Sequence, residues 1–461
     1  MPGKPVEMNG MTGWLRRLFP RAHATAAGLP SLLPLLLPLF CLPWFFSLPG
    51  VYLFDDYITP LNDPASQGLG AFLAQLGATI RPLTKLTYAV EASLGLDTVD
   101  CRRIVQIAMH AGNGVLFLLL LRRLVPEHRQ DMPLLLAVAA LYLLHPIQAE
   151  KVLAVAGRPT LLMEGLLLGA MLAAAGGRYA AAMLLFAASL LARETALVFL
   201  PLLAMLLPAS RDRERWLLAL VTVLVVGLLA AVPRYRALFD FSFAARDVAS
   251  SCIQQVSALP LGFSLYFAPW NLSIDHGEHL AASAGDPLFL GGVLNYIFLL
   301  SLACYGGRRG RLAALWILAA IMPTQSCIPK LDALTERPFA LALPGCLLCL
   351  LWLGRRIVTA RMPRPVMAGA LVATIAVLAV ATATRSLLYR NESAIWKDAM
   401  VKSATNIRPH LNSAALLIGE GRTGEARAVL LRAWAIDPFD AELADALQHM
   451  QYQQLLKEND Q

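Results

Sequence analysis

The stretch 29–57, "LPSLLPLLLPLFCLPWFFSLPGVYLFDDY", joins a long apolar run directly to two adjacent carboxylates, Asp55 and Asp56. A helix needs about 20 apolar residues to cross a bilayer, so the run predicts a membrane span that ends just before the acids. The run is longer than the apolar core of a signal peptide, which predicts that it is retained. Asp55 and Asp56 are therefore either solvated loop charges or part of a reactive site beside the membrane.

The whole chain has the composition of a membrane protein. Hydrophobic residues make up 57% of it and charged residues 15%, against about 25% charged in an average soluble protein. The apolar runs are continuous rather than alternating, which favours helices over a β-barrel. The predicted fold class is an all-α polytopic membrane protein with about eleven transmembrane helices: 28–50, 103–121, 132–147, 160–176, 179–192, 195–209, 216–233, 288–305, 312–326, 338–354 and 366–384.

The positive charge indicates topology rather than nucleic-acid binding. The net charge is +8, and the basic residues cluster in short loops such as "SRDRER" and "GGRRGR". The positive-inside rule places these loops and the N-terminus in the cytoplasm, and the longer mixed loops and everything after about 385 outside. The apolar segment 256–274 is flanked by loops of the same side, which predicts a re-entrant or interfacial segment.

The C-terminal part is more polar and has a helical pattern. Gly421, Ala426, Leu430, Ala433 and Pro438 follow the spacing of one tetratricopeptide unit of roughly 34 residues. An ordinary helical hairpin is the alternative. The predicted domains are a membrane domain, 1–386, and an extracytoplasmic helical tail, 387–461.

Polar and ionisable residues collect on the predicted outer side, where charge near a membrane indicates function. A carboxylate there can act as a general base, and arginine or lysine can bind phosphate. Each candidate also has a structural alternative as a helix cap, a turn or an ion pair. The combination of base and cations is typical of group transfer from a phosphate-linked lipid. The candidates other than Asp55 and Asp56 are Arg81, Lys85, His145, Glu150, Arg158, Arg193, Glu194, Asp275, His276, Glu336 and Arg337.

Several stretches, taken in order, resemble one enzyme family. They are "FDDY", "LLHPIQAEKVLAVAGRPTLL", "PTQSCIPKLDALTERPF" and "RNESAIWKDAMVKSATN". Over nearly the whole chain they resemble GT-C membrane glycosyltransferases, of the transmembrane-and-tetratricopeptide type related to protein O-mannosyltransferases. Two features depart from that family. The tail holds about one repeat unit rather than many, and Pro338 follows the "ER" pair where the family usually has tyrosine.

The resemblance implies a GT-C-like fold and transfer of a sugar or short oligosaccharide from a polyprenyl-phosphate or pyrophosphate donor. The acceptor is implied to be a protein Ser/Thr hydroxyl, with inversion at the sugar carbon. Asp55 or Asp56 is implied as the catalytic base, or as a ligand if a divalent cation is used. The implied donor-phosphate ligands are Arg81, Lys85, Arg158, Arg193 and Arg337, and the implied cavity-lining residues are His145, Glu150, Glu194, Asp275, His276 and Glu336.

The short tail favours one dedicated acceptor over broad peptide recognition. In size and topology the chain is similar to bacterial pilin O-glycosylating enzymes, which implies a pilin acceptor, a bacterial inner-membrane location and a periplasmic active site. The expected partners are the lipid-linked donor, the acceptor protein and membrane lipids, without nucleic acid. Two alternatives stay open: transfer to a lipid or polysaccharide, and a non-enzymatic transporter or scaffold.

Overall fold

The structure, a computed structural model, describes residues 33–125, 132–208, 210–277, 280–281, 283–326, 328–330, 332–357 and 364–459. Within these ranges the chain is helical, with no β-strand. The all-α class predicted from the continuous apolar runs is therefore confirmed.

Five helices are long and apolar enough to cross a membrane: Val99–Leu124, Val155–Ala175, Pro287–Tyr305, Glu336–Gly354 and Pro365–Leu388. Two bent pairs raise the number to as many as seven if each pair is one span. Met132–Leu144 meets Pro146–Leu153 at 47°, and Asp212–Ala230 meets Pro233–Ala244 at 82°. A proline begins the second helix of each pair, and proline disfavours helical geometry in the residue before it.

The first predicted span, 28–50, has an unusual helical form where the structure describes it. Residues Leu33–Ser47 form a 3-10 helix with Pro38 and Pro43 inside. Proline lacks the backbone N–H that an α-helix needs in its interior, so Pro38 and Pro43 disrupt regular α-helical bonding. The first five residues of the predicted span lie outside the described residues.

The other predicted spans also fall on helices, some of them short. Span 179–192 matches Tyr179–Ala192, 195–209 covers the 3-10 helix Glu194–Phe199 and Leu200–Leu206, and 312–326 overlaps Gly307–Ile321. These helices are shorter than the roughly 20 residues that one bilayer crossing needs. The membrane class is thus supported, while the number eleven stays a prediction.

The predicted re-entrant segment 256–274 begins inside a helix and ends in irregular chain. The helix is Val248–Ser264, and a short 3-10 turn, Pro269–Asn271, follows it. The irregular chain then buries Ser273 and Asp275. Smaller helices, Leu69–Ala74 and Pro82–Ser93, lie between the first apolar segment and Val99–Leu124.

The tail consists of the helices Glu392–Lys402, Arg408–Gly419, Thr423–Trp434 and Ala441–Asn459. Ala426, Leu430 and Ala433, three of the positions picked out by spacing, are buried in a small apolar cluster of the tail. Gly421 has φ +77° in the turn between two of these helices, a backbone conformation that glycine adopts without strain. The helix Arg364–Leu388 runs through the predicted domain boundary at 386.

Arg103, on the helix Val99–Leu124, ties three distant parts of the chain together. Its side chain is fully buried, and its guanidinium donates hydrogen bonds to four backbone carbonyls. The acceptors are Leu153 O at 2.9 Å, Ser47 O at 3.1 Å, Tyr389 O at 2.9 Å and Val51 O at 2.7 Å. The start of the "FDDY" loop, the end of the helix Pro146–Leu153 and the end of the last apolar helix are thereby held at one point.

Gly157 allows a second close approach. A Cβ atom at this position would lie 2.5 Å from Glu150 O and 2.7 Å from Lys151 O. Both are backbone atoms, which cannot move aside as a flexible side chain can. The "GRP" sequence therefore needs glycine at position 157, because residues 150–151 pack too closely against this position for a side chain to fit.

We expect Gly157→Ala to destabilise the protein by about 1–3 kcal/mol, because the added methyl overlaps rigid backbone. Gly112→Ala is the matched control, since a Cβ there meets nothing within 4 Å and alanine favours a helix over glycine. Thermal unfolding of the detergent-purified protein measures both. A melting temperature of Gly157→Ala at or above that of Gly112→Ala would contradict the packing role.

Candidate active site

A cavity of about 270 Å³ lies between the "FDDY" loop, the apolar helices and the first part of the tail. One part of its wall is apolar and comes mainly from the membrane helices, including Met163, Phe199 and Leu341. The other part is highly charged. Four carboxylates and four cations line it: Asp55, Glu150, Asp275, Asp332, Arg193, Lys330, Arg337 and Arg408.

Asp55 faces this cavity and shares an arginine with Glu150. The Arg337 guanidinium lies 3.3 Å from Asp55 Oδ2 and 2.7 Å from Glu150 Oε1. The side chain of Asp55 is still 44% exposed. One carboxylate oxygen of Asp55 is therefore oriented by Arg337, while the carboxylate remains accessible from the cavity.

The backbone before Asp55 is held in a strained conformation. Phe54 has φ +38°, a value that residues with a Cβ rarely adopt. Its N–H donates to Glu392 Oε1 at 3.2 Å, and its ring packs edge-on against Trp396 at 5.5 Å. Strain of this kind collects at functional sites and needs support from its surroundings. Here the support comes from the tail.

Asp56 points away from the cavity and is completely buried. Its carboxylate accepts hydrogen bonds from the N–H of Leu53 at 3.1 Å and of Ala156 at 2.7 Å. Burial raises the pKa of Asp56 to about 6, although these N–H groups act in the opposite direction. The second acid of "FDDY" thus anchors its own loop to residue 156, and the two neighbouring acids occupy separate environments.

Two cations in the cavity lack a carboxylate partner among the described residues. Arg193 donates to the hydroxyl of Thr160, and Lys330 Nζ donates to Thr335 Oγ1 at 3.1 Å. Burial, with the nearby charge of Arg81, lowers the pKa of Arg193 to about 9, so it is cationic at neutral pH. Arg337, in contrast, is shared by two carboxylates. Arg193 and Lys330 are therefore the cations best placed to receive an anionic ligand.

Three of the predicted phosphate ligands pair with carboxylates elsewhere and do not line this cavity. Arg81 forms a two-point pair with Glu194 at 3.0 and 2.7 Å. Lys85 pairs with Asp63 at 2.8 Å. Arg158 is fully buried, 2.7 Å from a Glu91 oxygen and stacked over the ring of Tyr88. Of the five predicted cations, the structure brings Arg193 and Arg337 together in the cavity.

The six predicted cavity-lining residues divide in the same way. Glu150 and Asp275 line the described cavity, whereas His145, Glu194, His276 and Glu336 lie outside its wall. His145 Nδ1 accepts from Ile147 N at 3.2 Å and begins a short 3-10 turn. Glu336 accepts from Ser273 N at 2.6 Å and lies 3.1 Å from His276 Nε2. Glu336 therefore fixes the irregular chain at 273–276.

The sequence analysis places Lys330 and Asp332 among the polar residues before the predicted span 338–354 without giving them a role, and it does not assign Trp396 or Arg408 to the site. Lys330 and Asp332 stand in the stretch "PKLDALTER" together with Arg337, so their proximity along the chain was an available signal. Trp396 and Arg408 belong to the tail, and no local pattern indicates that the tail reaches the cavity.

The described residues contain no group of three or more His, Cys, Asp or Glu arranged to hold a metal ion. Asp55 and Asp56, the pair implied as ligands if a cation is used, do not converge on one point.

No protein-family model, curated protein or solved structure matches the chain. The resemblance to GT-C glycosyltransferases therefore stays a prediction, and the functional proposal rests on the geometry of the cavity.

The raised pKa of Asp56 predicts a pH-dependent stability. An aspartate in the unfolded chain has a pKa near 3.9, so between about pH 4 and 6 the folded protein binds this proton more tightly than the unfolded chain. The free energy of unfolding therefore falls as the pH rises through this window, by on the order of 3 kcal/mol for this group.

Asp56→Asn removes that titration and keeps a side-chain oxygen that accepts one N–H. We expect the melting temperature of wild type, relative to Asp56→Asn, to fall between pH 4.5 and 7. Asp55→Asn serves as the control, because it removes the neighbouring carboxylate, which faces the cavity and is not buried as Asp56 is. A relative melting temperature that rises with pH would contradict the assignment.

Proposed function

We propose that this chain is a glycosyltransferase that moves a sugar from a polyprenyl-linked phosphate or pyrophosphate donor to a protein hydroxyl. The observation that carries the proposal is the composition of one cavity. It combines an accessible carboxylate, Asp55, with an apolar wall and two cations, Arg193 and Lys330, that have no carboxylate partner in the part of the chain that the structure describes. A lipid-linked sugar phosphate contains the matching parts: a reactive sugar, an anion and an apolar chain.

The apolar wall supports a lipid-linked donor over a soluble nucleotide sugar. Met163 and Leu341 belong to helices long and apolar enough to span a bilayer. An isoprenoid chain that leaves the bilayer between such helices buries apolar surface along its whole path, which is favourable at about 25 cal/mol per Å². The charged part of the cavity then receives the phosphate where the apolar wall ends.

The chemical step follows from these positions. The acceptor hydroxyl oxygen attacks the anomeric carbon of the sugar while Asp55 takes the hydroxyl proton. The bond between the anomeric carbon and the phosphate oxygen breaks, and the leaving phosphate keeps the electron pair. Arg193 and Lys330 stabilise the negative charge that develops on it. Arg337 orients Asp55 and balances its charge together with that of Glu150.

The finer assignments belong to the same proposal. They are a GT-C arrangement of about eleven spans, a bacterial inner-membrane location with the cavity on the periplasmic side, and a Ser/Thr acceptor such as pilin. The position of Asp55 just after the first apolar segment, beside a tail after the last apolar helix, supports a cavity outside the cytoplasm. The tail forms part of the cavity wall through Trp396, which supports one dedicated acceptor.

We expect Asp55→Asn to reduce sugar transfer at least about 100-fold, because general-base catalysis typically contributes 10²–10⁴-fold. The melting temperature should change little, since Asp55 is partly exposed. Asp97→Asn is the matched control, an exposed aspartate in the same part of the chain.

Intact-protein mass spectrometry of exported proteins from source cells carrying each variant provides the readout. Loss of the sugar mass in Asp55→Asn and its retention in Asp97→Asn is the expected result. Unchanged glycoforms in Asp55→Asn would contradict the catalytic assignment. If the protein masses are unmodified in every strain and a lipid or polysaccharide is altered in the variant, the acceptor is a lipid or polysaccharide instead of a protein.

We expect Arg193→Ala and Lys330→Ala each to weaken binding of a polyprenyl phosphate about tenfold, as loss of one charge-assisted hydrogen bond predicts. Lys397→Ala, which removes an exposed lysine of the tail, is the control. Calorimetric titration of farnesyl phosphate into nanodisc-embedded protein measures the dissociation constants. If Lys330→Ala, Arg193→Ala and the control bind farnesyl phosphate with equal affinity, the proposed anion site is contradicted.

A further inference from the structure

The tail contributes a charged residue as well as an aromatic one to the cavity. Trp396 comes from the helix Glu392–Lys402, and Arg408 begins the next tail helix, Arg408–Gly419. Lys402 Nζ donates to Leu272 O at 2.7 Å, and Ser403 Oγ donates to Asp275 O at 2.8 Å. The start of the tail is therefore fastened to the irregular chain around residue 275, and Arg408 enters the cavity wall from there.

Arg408 binds two carboxylates from separate parts of the chain. Its Nε lies 2.5 Å from Asp275 Oδ2, and its terminal nitrogen lies 2.6 Å from Asp332 Oδ1. The side chain of Asp275 is almost entirely buried, while that of Asp332 is 30% exposed. Asp275 also accepts from Gly277 N at 2.9 Å, so of the two carboxylates Asp332 is the one freer to move.

Asp332 is also the acid that stands closest in sequence to Lys330, one of the two cations without a carboxylate partner among the residues that the structure describes. Burial lowers the pKa of Lys330, and the charge of Asp332 is the largest effect in the opposite direction. The Asp332 carboxylate nevertheless forms its ion pair with Arg408, while Lys330 donates to Thr335. Arg408 therefore holds the carboxylate whose charge acts most strongly on Lys330.

We propose that Arg408 is a positioning residue that holds Asp332 away from Lys330 and thereby keeps Lys330 available for the donor phosphate. Without Arg408, Asp332 would pair with Lys330 at short range, and the phosphate would have to displace that carboxylate in order to bind. The tail then sets the anion affinity of a cavity whose apolar wall comes mainly from the membrane helices. The inference rests on the proposed function, because it concerns the anion that Arg193 and Lys330 bind.

A double-mutant cycle separates this role from simple support of the fold. The variants are Arg408→Gln, Asp332→Asn and their combination, with farnesyl phosphate titrated into each protein in nanodiscs. We expect Arg408→Gln to weaken binding about fivefold to tenfold, because the released Asp332 would form a close charge pair with Lys330 that competes with the ligand. In the Asp332→Asn background the same substitution should change the affinity by less than about twofold, because no carboxylate is released.

Two further variants keep the test decisive. Arg422→Gln is the matched control, a tail arginine that also pairs with two acids, Glu420 and Glu425, away from the cavity. If Arg408→Gln alone fails to fold, the comparison is repeated with Asp275→Asn present throughout, because the buried carboxylate that Arg408 leaves behind is then neutral. A structural role lowers the melting temperature in both backgrounds and is not rescued by Asp332→Asn.

If Arg408→Gln binds farnesyl phosphate as tightly as wild type does, the inference is overturned. Binding by the wild-type protein still supports the anion site in that case. A loss of affinity that persists in full with Asp332→Asn overturns it as well. If wild-type protein does not bind farnesyl phosphate, the proposed anion site fails and the inference fails with it. If Arg408→Gln lowers the affinity for farnesyl phosphate and the added Asp332→Asn restores it, both the anion site and the inference are supported.

Discussion

The buried guanidinium of Arg103 is the constraint on which the rest of the site depends. A charged group inside a membrane protein is unfavourable unless each of its donors finds an acceptor. Arg103 meets that requirement with the carbonyls of Ser47, Val51, Leu153 and Tyr389. These carbonyls lie at the ends of three elements, so satisfying one side chain brings the elements together. The loop with Asp55, the helix with Glu150 and the start of the tail all meet beside this residue.

The charges of the cavity are arranged as two clusters, each with a net negative charge, and a pair of cations. Arg337 lies between Asp55 and Glu150, and Arg408 lies between Asp275 and Asp332. Each cluster has one positive and two negative side chains, whereas Arg193 and Lys330 have hydroxyl partners. The eight charges sum to zero, yet they are separated in space. Such a separation supports a donor that presents an anion at one end of the cavity and an acceptor that presents a hydroxyl to be deprotonated at the other.

The sequence predicted the helical membrane class, because that class follows from the length of the apolar runs and the low share of charge. It could not distinguish Asp55 from Asp56. The two are neighbours, and the strained backbone at Phe54 sends one carboxylate into the cavity and the other into the loop's own hydrogen bonds. The partners of Arg81 and Arg158 lie far along the chain, at Glu194 and Glu91, which no local pattern reveals. The role of Arg408 depends on how the tail folds back, a purely tertiary feature.

The claim that the cavity holds a lipid-linked phosphate can be tested most directly by cryo-electron microscopy of the protein in nanodiscs that contain a long-chain polyprenyl phosphate. The account predicts phosphate density between the Arg193 guanidinium and the Lys330 ammonium group, with the first isoprene units along Met163, Phe199 and Leu341. Phosphate bound instead at Arg81, Lys85 or Arg158, with their present carboxylate partners displaced, would contradict it. A cavity that stays empty at saturating lipid would contradict it as well.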